Sequence, residues 1–241
     1  MISVVVPVYN SQTTLRELVG RLAAVLPDVG DSFEAVLVND GSRDGSWQVI
    51  VELARTHSFV RGLDLSRNYG QHRALLAGIR AARGGMIVTM DDDLQHPPEE
   101  LPQLLAALTE NFDVVYGTPR TPAQPRWRNL ASRSVRFLLK NVMGAETADY
   151  FSAFRVFRAG LRSAFASCHG PLLSIDVLLA RTTSRFASIA IEHQPPRSRS
   201  SYSFGKLVRF ALSMFVGFSL VGEYALRLGQ PSACLVREEI P

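Results

Sequence analysis

The first 120 residues alternate short apolar runs with stretches of helical periodicity, a pattern that few folds accept. "ISVVVPV" (2–8) is a continuous apolar run, as a parallel strand covered on both faces requires. Leu15, Leu18, Val19, Leu22, Val25 and Leu26 then recur at helical spacing, with Ser11 or Thr13 placed to cap the start. Further strands are predicted at "EAVLV" (34–38), "VRGLDLS" (60–66), "MIVTM" (86–90) and "DVVYG" (113–117). Between them "SWQVIVELA", "HRALLAGIRAA" and "PEELPQLLAAL" read as helices. Repeated β–α units predict an α/β fold with an open, mostly parallel, Rossmann-like sheet flanked by helices.

Sheets of this kind bind ligands beyond the carboxyl ends of their strands. The polar clusters fall there: "VYNSQ" (8–12), "NDGSRDGS" (39–46), "SRNYGQHR" (66–73) and "DDDLQ" (91–95). Adjacent carboxylates repel, so Asp91, Asp92 and Asp93 at the end of a buried strand call for a cation or a donor network. The alternative is that Asp92 or Asp93 caps the helix near Pro97. Asp40, beside Gly41, is either a turn former or a ligand-recognition residue. His72 opens a predicted helix and is given no catalytic role. Arg67 and Arg73 are either within reach of phosphate or plain surface residues.

No GxGxxG, P-loop or nucleic-acid-binding motif occurs, which weakens dinucleotide, NTPase and nucleic-acid readings. Cys168 and Cys234 are the only cysteines, arguing against a disulfide framework or a cysteine-built metal site. Met1 runs straight into an apolar strand without a basic leader, so a cytoplasmic location is expected. The net charge of +4 is unevenly spread. Residues 1–120 hold 10 Arg and no Lys against 15 Asp and Glu, whereas residues 121–241 hold 16 basic and 7 acidic residues. The acidic half suits a cation, and the basic half suits phosphate or an anionic membrane surface.

From residue 126 helical patterns dominate. "RWRNLASRSVRFLLKNVMG" (126–144) is a basic amphipathic helix, suited to a membrane surface or to packing on a core. "SIDVLLARTT" reads as a helix, "FASIAIEH" as a strand, and residues 203–228 as one long apolar helix or a pair. Only 13 uncharged residues lie between Arg209 and Glu223, too few for a normal membrane span. The division expected is a catalytic domain over 1–200 and a basic helical C-terminal part and tail over 201–241.

In order along the chain, "VVVPVYN", "VNDGSRDGS", "LSRNYGQHRALLAG" and "MDDDLQHPPEEL" resemble family 2 glycosyltransferases, in particular the polyprenyl-phosphate branch related to dolichyl-phosphate mannosyltransferase. The resemblance implies a GT-A fold and an inverting, metal-dependent transfer from a nucleotide sugar, UDP-linked by similarity to bacterial members. It places Pro7, Tyr9 and Asp40 around the nucleoside. Asp91 and Asp93 become the DxD pair that holds Mg²⁺ or Mn²⁺ against the diphosphate, and Gln95 becomes a polar neighbour. Arg120 and Arg155 become basic contacts of phosphate.

"RSRSSYSFGKLVRFAL" resembles the branch's acceptor element without its glycine, with Arg197 or Arg199 in the basic role. "GEYALRLGQPSACLVREEIP" resembles the tail that follows a membrane hairpin, yet here it comes directly after "MFVGFSLV". That departure opens two acceptors. A polyprenyl phosphate is already anionic, whereas a soluble hydroxyl needs a base, for which Asp149 and Asp176 are the candidates alongside Asp93 in the catalytic set. Asp149 is otherwise a turn residue, and Asp176 an acid favoured at a helix start. Peripheral contact with the inner face of a membrane and a homo-oligomer are both compatible with this reading. The rivals are a non-catalytic nucleotide-sugar-binding scaffold and a sugar-nucleotide pyrophosphorylase, the latter disfavoured because "PVYNSQTTL" is not a glycine-rich loop.

Overall fold

The computed structural model describes residues 1–120, 152–165, 174–194 and 236–241. In chain order the elements are β1 (Ile2–Val8), α1 (Leu15–Val29), β2 (Phe33–Asn39), α2 (Ser46–Thr56), β3 (Val60–Leu65), α3 (Gln71–Ala81), β4 (Met86–Thr89), α4 (Leu101–Ala106) and β5 (Val114–Pro119). They continue with β6 (Arg155–Arg158), α5 (Ile175–Thr182), β7 (Phe186–Ile191) and β8 (Val236–Ile240). One-turn 3₁₀ geometry at Pro98–Glu100 leads into α4, so the helix expected at 98–108 is shorter and tighter at its start.

The strands form one eight-stranded sheet in the order β7-β5-β6-β4-β1-β2-β3-β8. β6 and β8 run against the other six, so the sheet is mostly parallel, as the β–α alternation predicts. The apolar runs are buried on both faces. Val4, Val6 and Val8 of β1 pack with Leu15, Leu18, Leu22, Ile50, Leu101 and Leu104 of α1, α2 and α4. Val5 faces the other layer, with Leu75 and Ile79 of α3 and Ile175 and Leu179 of α5. All six periodic apolar residues of α1 are buried. At Gly78 an added Cβ would lie 2.4 Å from Val5 Cγ1, so glycine there lets α3 lie close to the central strand.

β1 has β2 on one side and β4 on the other, so the chain direction across the sheet reverses at β1/β4. Such a reversal opens a crevice at the carboxyl ends of the two strands. Proline widens it. The β1–β4 ladder runs from Ile2–Met86 to Val5–Thr89, and Met90 N donates to Val5 O at 3.3 Å. Pro7 lies two residues beyond Val5 on the same strand edge and has no N–H to continue that ladder.

Two strands were not expected. β6 comes from the "FRVFR" segment and lies antiparallel between β4 and β5. β8 comes from the tail assigned to the C-terminal part, and it joins the edge of β3 in the same sheet as β1. Residues 236–240 therefore belong structurally to the sheet of the first domain. Ile240 lies over Gly62, Trp47 Nε1 donates to Glu238 at 3.3 Å, and Arg61 bridges Glu239 at 2.7 Å and Glu34 at 2.6 Å. Glu34 also accepts from Ser3 Oγ and from the Arg83 amide.

Arg61 and Glu34 are buried whereas Glu239 is half exposed, so the two ends of this bridge differ in worth. Arg61→Ala leaves the Glu34 charge buried, and the expected loss is about 3–5 kcal/mol. Glu239→Ala removes a solvated pair and is expected to lose about 1 kcal/mol or less. Urea unfolding of both variants checks the ranking.

Candidate active site

Four loops meet at the carboxyl ends of β1–β4 and are laced together by short polar side chains. In the β1–α1 loop, Asn10 adopts the left-handed region at φ 56°. Its N–H donates to Ser42 Oγ at 3.0 Å, and its Oδ1 accepts from Arg43 N at 2.8 Å. Ser11 N donates to Ser46 Oγ at 2.9 Å and Gly45 N to Gln12 Oε1 at 2.7 Å. At Gly41, φ is 63° and a Cβ would sit 2.5 Å from the backbone of Arg67, so the β2–α2 turn can press against the next loop only without a side chain.

Asp40 is buried, and both carboxylate oxygens accept backbone amides of the β3–α3 loop, from Tyr69 at 2.7 Å and Gly70 at 2.8 Å. Burial pushes its carboxyl up while the two amides pull it down. The Asp40 side chain thus ties the second loop to the third, a role beyond the local turn. Tyr9 is exposed at the mouth. Arg67 lies over the Tyr69 ring at 5.0 Å.

Each aspartate of the triplet has a different donor. Asp91 Oδ1 accepts from Gln71 Nε2 at 2.6 Å, at the start of α3. Asp92 Oδ2 accepts from Tyr9 N at 3.2 Å, joining this loop to the β1–α1 loop. Asp93 Oδ1 accepts from Gln95 N at 3.0 Å, and its Oδ2 from Gln95 Nε2. No side chain caps the 3₁₀ turn after Pro97, so helix capping does not account for the triplet. Between Asp93 and Gln95, Leu94 is held at φ 63° with its side chain in the core. A left-handed leucine costs on the order of 1–2 kcal/mol, which its burial offsets.

Charge is concentrated here. Burial, then the Asp93 and Asp92 charges, push the Asp91 carboxyl up to about 7, against a smaller downward pull from Arg155. Asp92 rises to about 6, mainly through burial. A desolvated carboxylate beside like charges is a good cation partner. Asp91 and Asp93 supply hard oxygen donors, and the described residues contain no group of three acidic, histidine or cysteine side chains placed to enclose an ion. Paired carboxylate oxygens are the donor type that suits Mg²⁺ or Mn²⁺.

Two expectations are corrected by burial. Arg155, expected at phosphate, is 1% exposed and lies inside the protein. Its Nε donates to Thr89 Oγ1 at 3.0 Å, and its guanidinium pairs with Asp176. Asp176, a candidate base, is 6% exposed and accepts from both Arg155 and the Tyr116 hydroxyl, the latter at 3.0 Å. Its carboxylate is committed to a buried pair instead of facing an acceptor. His72 packs beside this pair, and burial pushes its imidazole down. Arg120 is exposed at the end of β5, its Nε donating to Ala190 O at 3.3 Å. Asp149, Arg197 and Arg199 lie outside the described residues.

The sequence pattern did not single out Gln71, Leu94, His96 or His193. His96 is buried, stacked on Phe154 at 5.4 Å and edge-on to His193 at 4.9 Å. Burial, with smaller contributions from His193 and Arg155, pushes His96 down to about 3. Polarity of "DLQHPP" and "IEHQ" is the only signal the sequence offers for them.

The mostly parallel sheet, covered by helices on both faces, has the GT-A fold of the solved structures it superposes on. Residues 3–165 match the model of glycosyl transferase family 2, more than half of the chain, and the protein belongs to that family. It is similar to undecaprenyl-phosphate 4-deoxy-4-formamido-L-arabinose transferase of Edwardsiella ictaluri (strain 93-146), with 39% identity over 210 residues. That match covers 86% of this chain and 64% of the relative's length. Among solved structures, glucosyl-3-phosphoglycerate synthase from Mycobacterium tuberculosis, in complex with Mn²⁺, UDP and glucosyl-3-phosphoglycerate, superposes with a TM-score of 0.68 at 19% identity. It covers 90% of this chain and 78% of that one. A further mycobacterial protein reaches 0.68 at 21% identity, over 90% and 73% of the two chains. Among the described residues no helix is long and apolar enough to cross a membrane.

The raised carboxyls fix a pH dependence. Asp91 and Asp92 in the folded protein, at about 7 and about 6, lie above the ordinary aspartate value of 3.8. Their contribution to stability is therefore complete below that value and is lost as pH rises through 6 and 7. In chelator, the melting temperature of the wild type is expected to fall between pH 4 and 7.5 by at least about 2–4 °C more than that of Asp91→Asn. Parallel thermal melts across this range check it.

Proposed function

We propose that this protein transfers a sugar, with inversion, from a UDP-sugar to a polyprenyl phosphate at the cytoplasmic face of a membrane. The observation that carries this reading is the meeting of the aspartate triplet with its neighbouring loops at the β1/β4 crevice, Asp92 on the Tyr9 amide and Asp91 on Gln71, next to the Gly70 amide that Asp40 holds. The 39%-identical relative, an undecaprenyl-phosphate transferase, supports the acceptor class. So does the burial of Asp176. With that carboxylate held by Arg155, the described residues favour an acceptor that arrives already ionised.

In this mechanism Tyr9 and the Asp40-held loop flank the nucleoside, and Pro7 keeps the crevice open beneath it. Asp91 and Asp93 would hold Mg²⁺ or Mn²⁺, and the ion would neutralise the charge growing on the departing diphosphate. Asp92 is the internal tie to the Tyr9 amide and leaves its two neighbours for that task. An oxygen of the acceptor phosphate attacks the anomeric carbon from the face opposite the diphosphate. The new C–O bond forms as the bond to UDP breaks, and no proton has to move. Arg120, with Arg197 or Arg199, offsets phosphate charge in this reading.

A non-catalytic scaffold would bind UDP-sugars and Mn²⁺ without turnover. UDP release is therefore measured over a panel of UDP-sugars with Mn²⁺, offering undecaprenyl phosphate or soluble hydroxyl acceptors. Release that depends on the lipid phosphate, and that falls at least about a hundredfold in Asp93→Ala, is expected. Turnover with soluble acceptors alone overturns the acceptor assignment, and binding without turnover on every acceptor overturns the enzyme.

A further inference from the structure

We propose that the outer face formed by α3, α5 and the 3₁₀ segment Ala159–Phe165 is a docking surface for an anionic lipid bilayer. The inference does not rest on the transfer reading. The three pieces form one layer over the sheet. α3 buries Leu75 and Ile79 in the core cluster that also holds Phe165 of the 3₁₀ segment and Leu178 and Leu179 of α5. Arg80 donates to Phe165 O at 2.7 Å and Arg162 to Ala82 O, so the 3₁₀ segment is bonded to the end of α3.

The outward side of this layer carries charge of one sign. Residues 71–83, 159–165 and 174–182 hold Arg73, Arg80, Arg83, Arg162 and Arg181, and their one acidic residue is Asp176. Asp176 is buried and paired with Arg155. Arg80, Arg83 and Arg181 are exposed. A bond from a guanidinium to a neutral carbonyl leaves its charge in place. Glu239, at the border with β8, pairs with Arg61, whose other terminal nitrogen donates to Ala81 O. The opposite layer is built differently. Its α1, α2, α4 and the 3₁₀ turn before α4 hold five acidic residues against three arginines, two of which pair with Glu52 and Glu99. The helix dipole accounts for a cation in the last turn of α3 and of α5, where Arg80 and Arg181 sit. It does not account for Arg83 and Arg162, or for the one-sided lack of exposed acids.

Charge is nearly all that this face offers a partner. Beside the arginines its exposed residues are Gln71, Gly160, Ser163 and Thr182. The exposed large apolar side chains among the described residues belong to other segments. A protein partner is gripped by aromatic and apolar anchors, and single-stranded nucleic acid by stacking on aromatic rings. A plane of anionic headgroups needs neither, because it attracts basic side chains near its surface without a shaped pocket. α3 and α5 both start at the crevice, where Gln71 holds Asp91 and His72 Nδ1 accepts from Ile175 N at 3.4 Å. From there α3 runs about 17 Å towards the other end of the layer. A bilayer resting on this face therefore borders the crevice at one rim.

Cosedimentation of the full chain with vesicles of phosphatidylglycerol or of phosphatidylcholine tests this. The assay contains no nucleotide sugar, metal or polyprenyl phosphate, so its outcome is independent of the transfer reading. Binding is expected to the anionic vesicles alone, and to fade as added salt screens the charges. Arg83→Gln combined with Arg181→Gln is expected to weaken binding about tenfold or more, and the corresponding pair of Glu substitutions further. Arg16→Glu combined with Arg55→Glu makes the same change of charge on the opposite layer and is expected to bind close to wild type. Undiminished binding by the Arg83 and Arg181 pairs overturns the inference. So does equal loss in the Glu pairs of the two layers, which reports net charge alone, or equal binding to both lipids, or no binding by the wild type. Should the Glu pair at 83 and 181 fail to fold, undiminished binding by the Gln pair overturns it as well. Tighter binding to single-stranded RNA than to the vesicles, lost in the same variants, overturns the bilayer as the occupant.

Discussion

Asp91, Asp92 and Asp93 follow one another out of β4, and like charges this close in a desolvated crevice resist ionising together. The fold answers with a donor for each from a different place: Gln71 at the start of α3, the Tyr9 amide after β1, and Gln95 one turn further on. Those donors are themselves fixed. Asp40 grips the amides of Tyr69 and Gly70 immediately ahead of Gln71, and Ser42 and Ser46 grip the loop that follows Tyr9. The loops around the switch point thus form one network with the aspartates at its centre. The network orients the carboxylates without neutralising them.

A second layer lies underneath. Arg155 sits inside the sheet's end, bonded to Thr89, two residues before Asp91. Its charge pulls the Asp91 carboxyl down against burial and two neighbouring aspartates. Asp176 and the Tyr116 hydroxyl in turn satisfy the guanidinium. A lone buried cation would be far costlier than a paired one, so α5 and β6 have to be present together. The arginine thus reaches Asp91 through its field and Thr89 through a hydrogen bond.

The alternating apolar runs made the parallel part of the sheet legible, because strands buried on both faces cannot be built otherwise. β1, β2, β3, β4, β5 and β7 all lie where those runs place them. β6 and β8 escaped for the same physical reason. "RVFR" and "VREEI" both break the apolar pattern with charges, which β6 carries by pairing Arg155 with the buried Asp176 and β8 by lying on the exposed edge of the sheet. The aspartates were legible from their unfavourable crowding. Their supports were not: Gln71 and Leu94 have local sequences that any loop or helix start would accept. Arg155 was misread because a motif gives a residue's place in the chain but not the direction of its side chain.

The topology also bears on the basic second half. Arg120 leaves the carboxyl end of β5, and the chain returns to β6 at Arg155, paired with Thr89 at the carboxyl end of β4. Gln194 leaves the carboxyl end of β7, and the chain returns to β8 at Val236, paired with Leu65 at the carboxyl end of β3. All four junctions lie on the edge that carries the aspartates. The two intervening stretches hold five basic and two acidic residues over 121–151, and five basic and one acidic over 195–235. Both stretches leave and rejoin the sheet on the edge that carries the aspartates. Repulsion between a diphosphate and a phosphate nucleophile opposes their encounter, and cations supplied from the acceptor side oppose that repulsion without competing for Asp91 and Asp93. Under the proposed transfer, the carboxylates of the crevice and the basic residues of these two stretches come from separate halves of one chain.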